Sequence, residues 1–254
     1  MKRATALRRA NLLPAIKATN RMLRRLTGFG HRLQFETEWM GGTNPEWFDH
    51  LIDQHWKWTD TRNSLSWERG FFSTLAMSFD CTVLDLCCGG GFFSHHFYSG
   101  RAEQVVAVDF DPSAIAHAQA NFKAPNVRYV CADIRGGMPI GDFTNVVWDA
   151  AIEHFTQDEM IGIFDNIKAR LAKANGVLSG YTIIERSHGK SLEHHEYEFK
   201  SREELADLLK RFFAHVAVIQ TTTRDYMEVR DNLYFFASDG QVPFGAEWDK
   251  LTIR

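Results

Sequence analysis

Asp85 interrupts an apolar run, Val83-Leu84-Asp85-Leu86, and is followed at once by Cys87-Cys88 and three consecutive glycines, Gly89-Gly90-Gly91. A buried strand that runs into a glycine turn and then a helix N-terminus makes a crevice for nucleotide-like ligands in open α/β sheets. Glycine allows the tight bend, and its missing Cβ lets a ligand lie against the main chain. The acid narrows the ligand, because a carboxylate two residues before the turn repels a pyrophosphate and suits a cation. The turn also departs from the dinucleotide pattern G-x-G-x-x-G, whose third glycine allows close helix–strand packing. The corresponding residues are Cys87, Gly89 and Phe92, and the bulk of Phe92 argues against NAD or FAD. No phosphate-cradling G-x-x-x-x-G-K-[ST] loop occurs either.

Further chemistry-bearing residues follow in order. Asp109 closes the run Val105-Val106-Ala107-Val108 and precedes Phe110, and Asp133 sits in Cys131-Ala132-Asp133-Ile134. Trp148-Asp149-Ala150-Ala151-Ile152-Glu153-His154-Phe155 places two acids and a histidine after another apolar run. Glu153 and His154 are candidates for acid–base work, since imidazole exchanges protons near neutral pH. Their plainer reading is structural, as a cap on the next helix. His194-His195-Glu196-Tyr197-Glu198-Phe199, beyond Ser187-His188-Gly189-Lys190, reads equally as a substrate-contacting loop or a solvated one.

The elements that must position these residues alternate. Strands are predicted at Val83–Leu86, Val105–Asp109, Val127–Val130, Asn145–Trp148, Gly176–Ile184, Val216–Thr222 and Leu233–Ala237. Between them, Phe92–Tyr98 opens a helix, and Asp111-Pro112 supplies an N-cap with proline at the first helical position. Thr156 with Glu159 and Ser201 with Glu204 read as two capping boxes. Five β-α units followed by a β-β ending predict a doubly wound, mostly parallel seven-stranded sheet with an antiparallel edge strand. In such a sheet ligands bind at the C-terminal strand ends, where these residues fall.

Ahead of the sheet, residues 33–79 carry five of the seven tryptophans and read as an aromatic-rich helical cap, with a helix start at Asn44-Pro45-Glu46 and a second helix from Ser64 to Met77. Leu65, Phe72 and Leu75 are its expected inner stripe. Residues 1–32 hold nine Lys/Arg and no acid, mixed with leucines, and form a basic amphipathic segment. A frayed solvated helix is its plain reading, and peripheral contact with an anionic membrane surface its functional one. Removing those nine from 29 leaves 20 basic against 32 acidic residues, a charge of −12 over residues 33–254. That body is not built to grip nucleic acid, which is not expected as a partner. The expected domains are therefore 1–32, 33–79 and 80–254. Cysteines Cys81, Cys87, Cys88 and Cys131 contain no C-x-x-C pair and read as reduced, mostly buried thiols of a cytoplasmic protein.

With these residues in order, the chain resembles a class I S-adenosylmethionine-dependent methyltransferase over roughly residues 80–238. The family motif D/E-x-G-x-G-x-G is matched by Asp85-Leu86-Cys87-Cys88-Gly89-Gly90-Gly91, with Cys87 replacing the first glycine. The resemblance implies S-adenosylmethionine as cofactor. It assigns the ribose hydroxyls to Asp109, adenine packing to Phe110 and the adenine amino group to Asp133, and includes Asp85, Cys87, Gly89, Gly91, Ile134 and Asp149 in the cofactor site. A strand-tip carboxylate is chemically suited to accept from both ribose hydroxyls. The segment Asp149–Phe155 then falls where cofactor and acceptor meet. His154 and Glu153 become the candidate catalytic residues, and His194, His195 and Tyr197 candidate substrate contacts. Some members carry a metal-binding Glu-x-x-Glu-His here; Ala150 replaces its first Glu, so no metal is expected. The expected reaction is O-methylation of a small-molecule acceptor. An amine or nucleic-acid acceptor, or a catalytically silent binding subunit, stays open.

Overall fold

The computed structural model describes residues 11–34, 36–37, 65–172, 175–186, 189–190, 194–224 and 229–244. The helix start at Asn44 and most of the aromatic-rich segment lie outside the described residues, as do Ser187 and His188. The chain divides into two compact units, Met1–Arg62 and Asn63–Arg254.

In the first unit, α1 (Leu13–Gln34) is one 22-residue helix with no buried residue. The second unit begins with α2 (Leu65–Leu75), followed by β1 (Cys81–Leu86) and β2 (Ala102–Asp109). Next come α3 (Pro112–Asn121), β3 (Val127–Cys131) and β4 (Asn145–Asp149). The chain continues through α4 (Gln157–Arg170), β5 (Val177–Ile183) and α5 (Arg202–Lys210). Two strands, β6 (His215–Arg224) and β7 (Val229–Ser238), close it. Leu75, expected inside, is 41% exposed, whereas Leu65 is buried and Phe72 stacks on Tyr234 at 4.2 Å. The helix thus turns its Leu65–Phe72 side inward.

The sheet order is β3-β2-β1-β4-β5-β7-β6. Pairing is parallel from β3 through β5, and β7 lies antiparallel to both β5 and β6. The expected hairpin-like pair forms, and its reversed member is the inner strand β7. Every residue of β4 and β5 is buried, as expected for parallel strands covered on both faces. Side chains alternate between two cores. Leu84, Leu86, Val106, Val108, Val146 and Trp148 face the core that includes Ile163, Phe164 and Ile167 of α4. Val83, Val105, Ala107 and Val147 face Phe92, Phe93, Tyr98 and Phe122. This two-residue period puts Asp85, Asp109 and Asp149 in phase with the second set. The side α2 covers is that of Tyr181 and Ile183, which cluster with Leu65.

Helix ends are made as the sequence suggests in two of three cases. Asp111 caps α3 through Ser113 N, and Thr156 and Glu159 form a reciprocal box at α4. At α5 Ser201 caps Glu204 N, but the Glu204 carboxylate accepts from Lys200 N and Tyr197 Oη instead. A nearby phenol and one earlier amide win that carboxylate, so the second box is half-formed. The segment after the glycines is a short helix whose Ser94–Tyr98 stretch is wound as a π-turn, with Ser99 N donating to Ser94 O at 2.9 Å. Wide turns of this kind recur at functional sites. Of the cysteines only Cys81 is buried; Cys87 and Cys88 are half-buried and Cys131 is exposed. The expectation of mostly buried thiols therefore fails, since the strand-tip positions of these residues open toward solvent.

Candidate functional site

The glycine turn is set by backbone geometry. Cys87 has φ +57°, Gly89 +52° and Gly91 +84°, all in the left-handed region that favours glycine. Cys87 thus holds the conformation of a glycine while carrying a side chain. A Cβ on Gly91 would stand 2.8 Å from Ala118 Cβ and from Tyr129 Cε1, so the turn closes tightly on α3 and β3 only without one. At the tip of the neighbouring strand β4, Ala150 also has a positive φ, +51°. Two strained non-glycine residues at adjacent strand ends are what a built site often contains.

Three carboxylates gather at this edge. Asp85 is 2% exposed, and Ser94 Oγ donates to its Oδ2 at 2.5 Å. Burial pushes its pKa up to about 7 against the lowering by the Ser94 hydrogen bond; the nearby Asp149 and Asp109 charges add to the rise. Below about pH 4 this carboxyl is protonated both folded and unfolded. Between about pH 4 and 7 the unfolded chain gives up a proton that the folded chain keeps, so stability falls as pH rises, by at most about 4 kcal/mol, and levels off above 7. Asp85→Asn is expected to remove that fall and to be more stable than the parent protein at pH 8. Denaturant titrations at pH 5 and 8 check this, and equal pH dependence in both proteins would refute it.

Asp109 ties the turn to β2. Its Oδ2 accepts from Gly89 N at 2.8 Å and its Oδ1 from Asp111 N at 2.9 Å. The next residue, Phe110, is 51% exposed. Asp133 is engaged by Arg135, which donates from Nε, Nη2 and its backbone N, and these bonds hold the carboxyl below the usual range. Ile134 is buried in the main core, so its side chain serves packing.

Asp149 is paired with a residue that sequence reasoning missed. Arg69 of α2 donates to Asp149 Oδ2 from Nε at 2.8 Å and from Nη2 at 2.6 Å. The guanidinium lies over Phe93 at 4.7 Å and Tyr181 at 5.1 Å. Burial works to lower its pKa, and the Asp149 carboxylate more than offsets this, so the charge stays. Asp149 Oδ1 is buried and has no hydrogen-bond partner among the described residues. Nothing in the local sequence of Arg69, Ser66-Trp67-Glu68-Arg69-Gly70, announces an ion pair 80 residues away; only its place on a helix with an apolar side could have hinted at it.

Beyond β4, the turn Ile152–His154 carries the two candidate catalytic residues. Glu153 is 4% exposed and its Oε2 accepts from Thr182 Oγ1 at 3.0 Å. Its backbone carbonyl accepts from Glu196 N and Tyr197 N, clamping this turn to the segment after β5. His154 is exposed, with Nδ1 3.3 Å from His194 O and its ring edge-on to His195 at 4.9 Å. His195 is buried and bonded through Nδ1 to buried Glu198. Glu153, His154 and His195 each bring one ligand-type atom within 4.8 Å of the others. Tyr197 instead donates to Glu204, and burial together with that carboxylate pushes its pKa up to about 12. The structure thus joins Glu153, His154 and His195, and leaves Tyr197 tied to α5.

Residues 83–176 match the family model described as a methyltransferase domain. That stretch is a methyltransferase domain. The N-methyltransferase NodS from Bradyrhizobium japonicum WM9 in complex with S-adenosyl-L-homocysteine is similar at 18% identity and a TM-score of 0.56, over 72% of this chain and 91% of its own. The DhpI–SAH complex matches at 18% identity and a TM-score of 0.52, over 85% of this chain and 96% of its own. The [4+2]-cyclase SpnF matches at 12% identity and 0.54, over 68% and 81%. No curated protein matches the sequence. At these identities the structural likeness speaks to the fold of the methyltransferase domain, not to its acceptor. The residues present fit the cofactor: a buried Asp149 oxygen has no hydrogen-bond partner among the described residues, the buried Asp85 carboxyl has its pKa pushed up to about 7, and an exposed Phe110 flanks a glycine turn.

Proposed function

We propose that the methyltransferase domain moves a methyl group to a hydroxyl of a small-molecule acceptor held at the Glu153–His154 edge. The observation that carries this is His154, an exposed imidazole at the open end of β4 whose Nδ1 faces a carbonyl. A carbonyl only accepts, so Nδ1 bears the proton and Nε2 keeps its lone pair. That lone pair is available to a hydroxyl proton. Glu153 stands behind it, oriented by Thr182.

In this reading Asp109 receives the ribose hydroxyls, Phe110 packs on adenine and Asp133 reads its amino group. Cys87, Gly89 and Gly91 shape the backbone against the amino-acid end, while Asp85 and the free Oδ1 side of Asp149 attract its ammonium. Ile134 supports the adenine end from within the core. When bound, S-adenosylmethionine supplies an electrophilic methyl on a sulfonium. The chain's part is to align the acceptor with it, a contribution worth up to about 7–11 kcal/mol in favourable systems, and to remove one proton as the ether forms. His194, beside His154, contacts the acceptor; His195 and Tyr197 shape that edge from behind.

Methyl-labelled cofactor and a panel of hydroxylated and amine acceptors test this. His154→Ala is expected to lower hydroxyl methylation about 10²–10⁴-fold with unchanged affinity for S-adenosylhomocysteine. Efficient amine methylation that ignores the substitution would reject the hydroxyl reading.

A second observation bears on partners. At a 3.6-residue period, Ile16, Met22, Leu23, Leu26, Phe29 and Leu33 of α1 fall on one side, and Lys17, Arg21, Arg24, Arg25 and Arg32 on the other. Among the described residues no helix is long and apolar enough to cross a membrane. A basic amphipathic helix of this build lies in the interface of an anionic bilayer. Binding to vesicles containing phosphatidylserine, weakened by salt and lost on deleting residues 1–34, is the expected result; equal binding to neutral vesicles would argue against it.

A further inference from the structure

We propose that Glu153, His154 and His195 bind a single divalent transition-metal ion, with zinc as the representative case. The three donors come from two chain segments, the turn after β4 and the stretch after β5, and lie within 4.8 Å of one another. Two hydrogen bonds from Glu196 N and Tyr197 N to Glu153 O fix those segments together, so the donors are brought near by backbone, not by chance rotamers. At metal–ligand bonds of about 2.0–2.2 Å, tetrahedral donors stand about 3.4 Å apart. Closing the cluster onto an ion therefore takes a side-chain adjustment of roughly an ångström.

The groups behind the donors carry the inference further. Metal-ligating histidines nearly always donate their other ring N–H to a carboxylate or carbonyl, which fixes the tautomer and raises ligand basicity. Both histidines are set up this way. His195 Nδ1 is bonded to Glu198, itself only 4% exposed, and His154 Nδ1 lies against His194 O. Each ring is left with Nε2 as its donor atom. Thr182 orients the Glu153 carboxylate through Oε2. Glu153 and His195 are buried and His154 is exposed, so the cluster is closed toward the protein and open on one side, as a metal that must meet a substrate requires. Two imidazoles and one carboxylate make a borderline donor set, suited to zinc, iron or nickel and poorly to magnesium, which prefers oxygen.

Binding of the ion stands on this geometry alone. Its catalytic use rests on the hydroxyl acceptor of the reading under Proposed function and would replace His154 as the base of that reading: a hydroxyl bound to the ion on the open side would lose its proton to solvent more easily, with His154 Nε2 held on the metal.

The test uses the full chain stripped with a chelator, titrated with zinc by calorimetry and with cobalt by visible absorption. One equivalent of each is expected, with cobalt d–d bands and no thiolate charge-transfer band, and with no competition from millimolar magnesium. His195→Ala and Glu153→Gln should weaken zinc at least about 100-fold, and Glu198→Gln by about 10–100-fold. Their affinity for S-adenosylhomocysteine reports that the fold is kept. His154→Ala, at an exposed ring, serves the same purpose should a buried variant fail to fold. Absence of stoichiometric binding, binding that survives these substitutions, or thiolate bands would each overturn the site. Methyl transfer that is unchanged after chelation would overturn only its catalytic use.

Discussion

Asp109→Ala is expected to weaken binding of S-adenosylhomocysteine by at least about 100-fold, measured by calorimetry. The carboxylate has two duties in the proposed site. It would accept from the ribose hydroxyls, and it already holds Gly89 N and Asp111 N, one on each oxygen. A hydrogen bond to a charged group contributes about 1.5–3 kcal/mol, so losing two ligand contacts alone costs about 3–6 kcal/mol, where 1.4 kcal/mol is tenfold. Releasing Gly89 N also loosens a turn whose residues sit at strained dihedrals. Asp109→Asn separates the two duties. Its side-chain oxygen can still accept from one amide, so it should retain the folded turn while losing most of the affinity. Equal binding by the parent protein and Asp109→Ala would show that the cofactor lies elsewhere.

Arg69→Ala is expected to destabilise the second unit by about 3–5 kcal/mol, the range for stripping one partner from a buried ion pair. Asp149 would keep a buried carboxylate whose Oδ1 has no partner among the described residues and whose Oδ2 has just lost Arg69. The guanidinium's contacts with Phe93 and Tyr181 would go as well. For a unit of this size the loss corresponds to roughly 10 °C in Tm. Combining the change with Asp149→Asn should recover part of the stability, since the stranded charge is then gone. A loss below about 1 kcal/mol, or none of this recovery, would show that the pair is solvated and structurally unimportant.

Much of this fold was legible in the chain itself, and the reason is local. Parallel strands buried on both faces must be apolar throughout, so Val83–Leu86, Val105–Val108 and Asn145–Trp148 announce themselves. An acid inside one such run, an acid at the end of another, and glycines after the first have no structural excuse for being there, which is why Asp85, Asp109 and Gly89–Gly91 stand out. Caps such as Asp111 and Thr156–Glu159 are written within four residues. The order of these features is enough to place a glycine turn and the acids Asp109 and Asp149 at one edge of a parallel sheet.

Other features belong to the tertiary structure alone, because they join residues far apart in sequence. Arg69 meets Asp149 across 80 positions, and it is packing of α2 against β5, not any motif, that brings them together. Glu204 leaves its expected box for Tyr197 because a phenol folds back within reach. The insertion of β7 between β5 and β6 pairs residues as far apart as Val177 and Ser238. The last case is the edge beyond β4 and β5. Sequence by itself placed Glu153 and His154 at a strand end and left the later histidines undivided between site and solvent. Folding separates them: His194 lends a carbonyl, His195 turns inward onto Glu198, and a one-dimensional pattern becomes three donors around one point. Types and order are properties of the chain, whereas convergence of side chains depends on contacts that only a packed sheet can make.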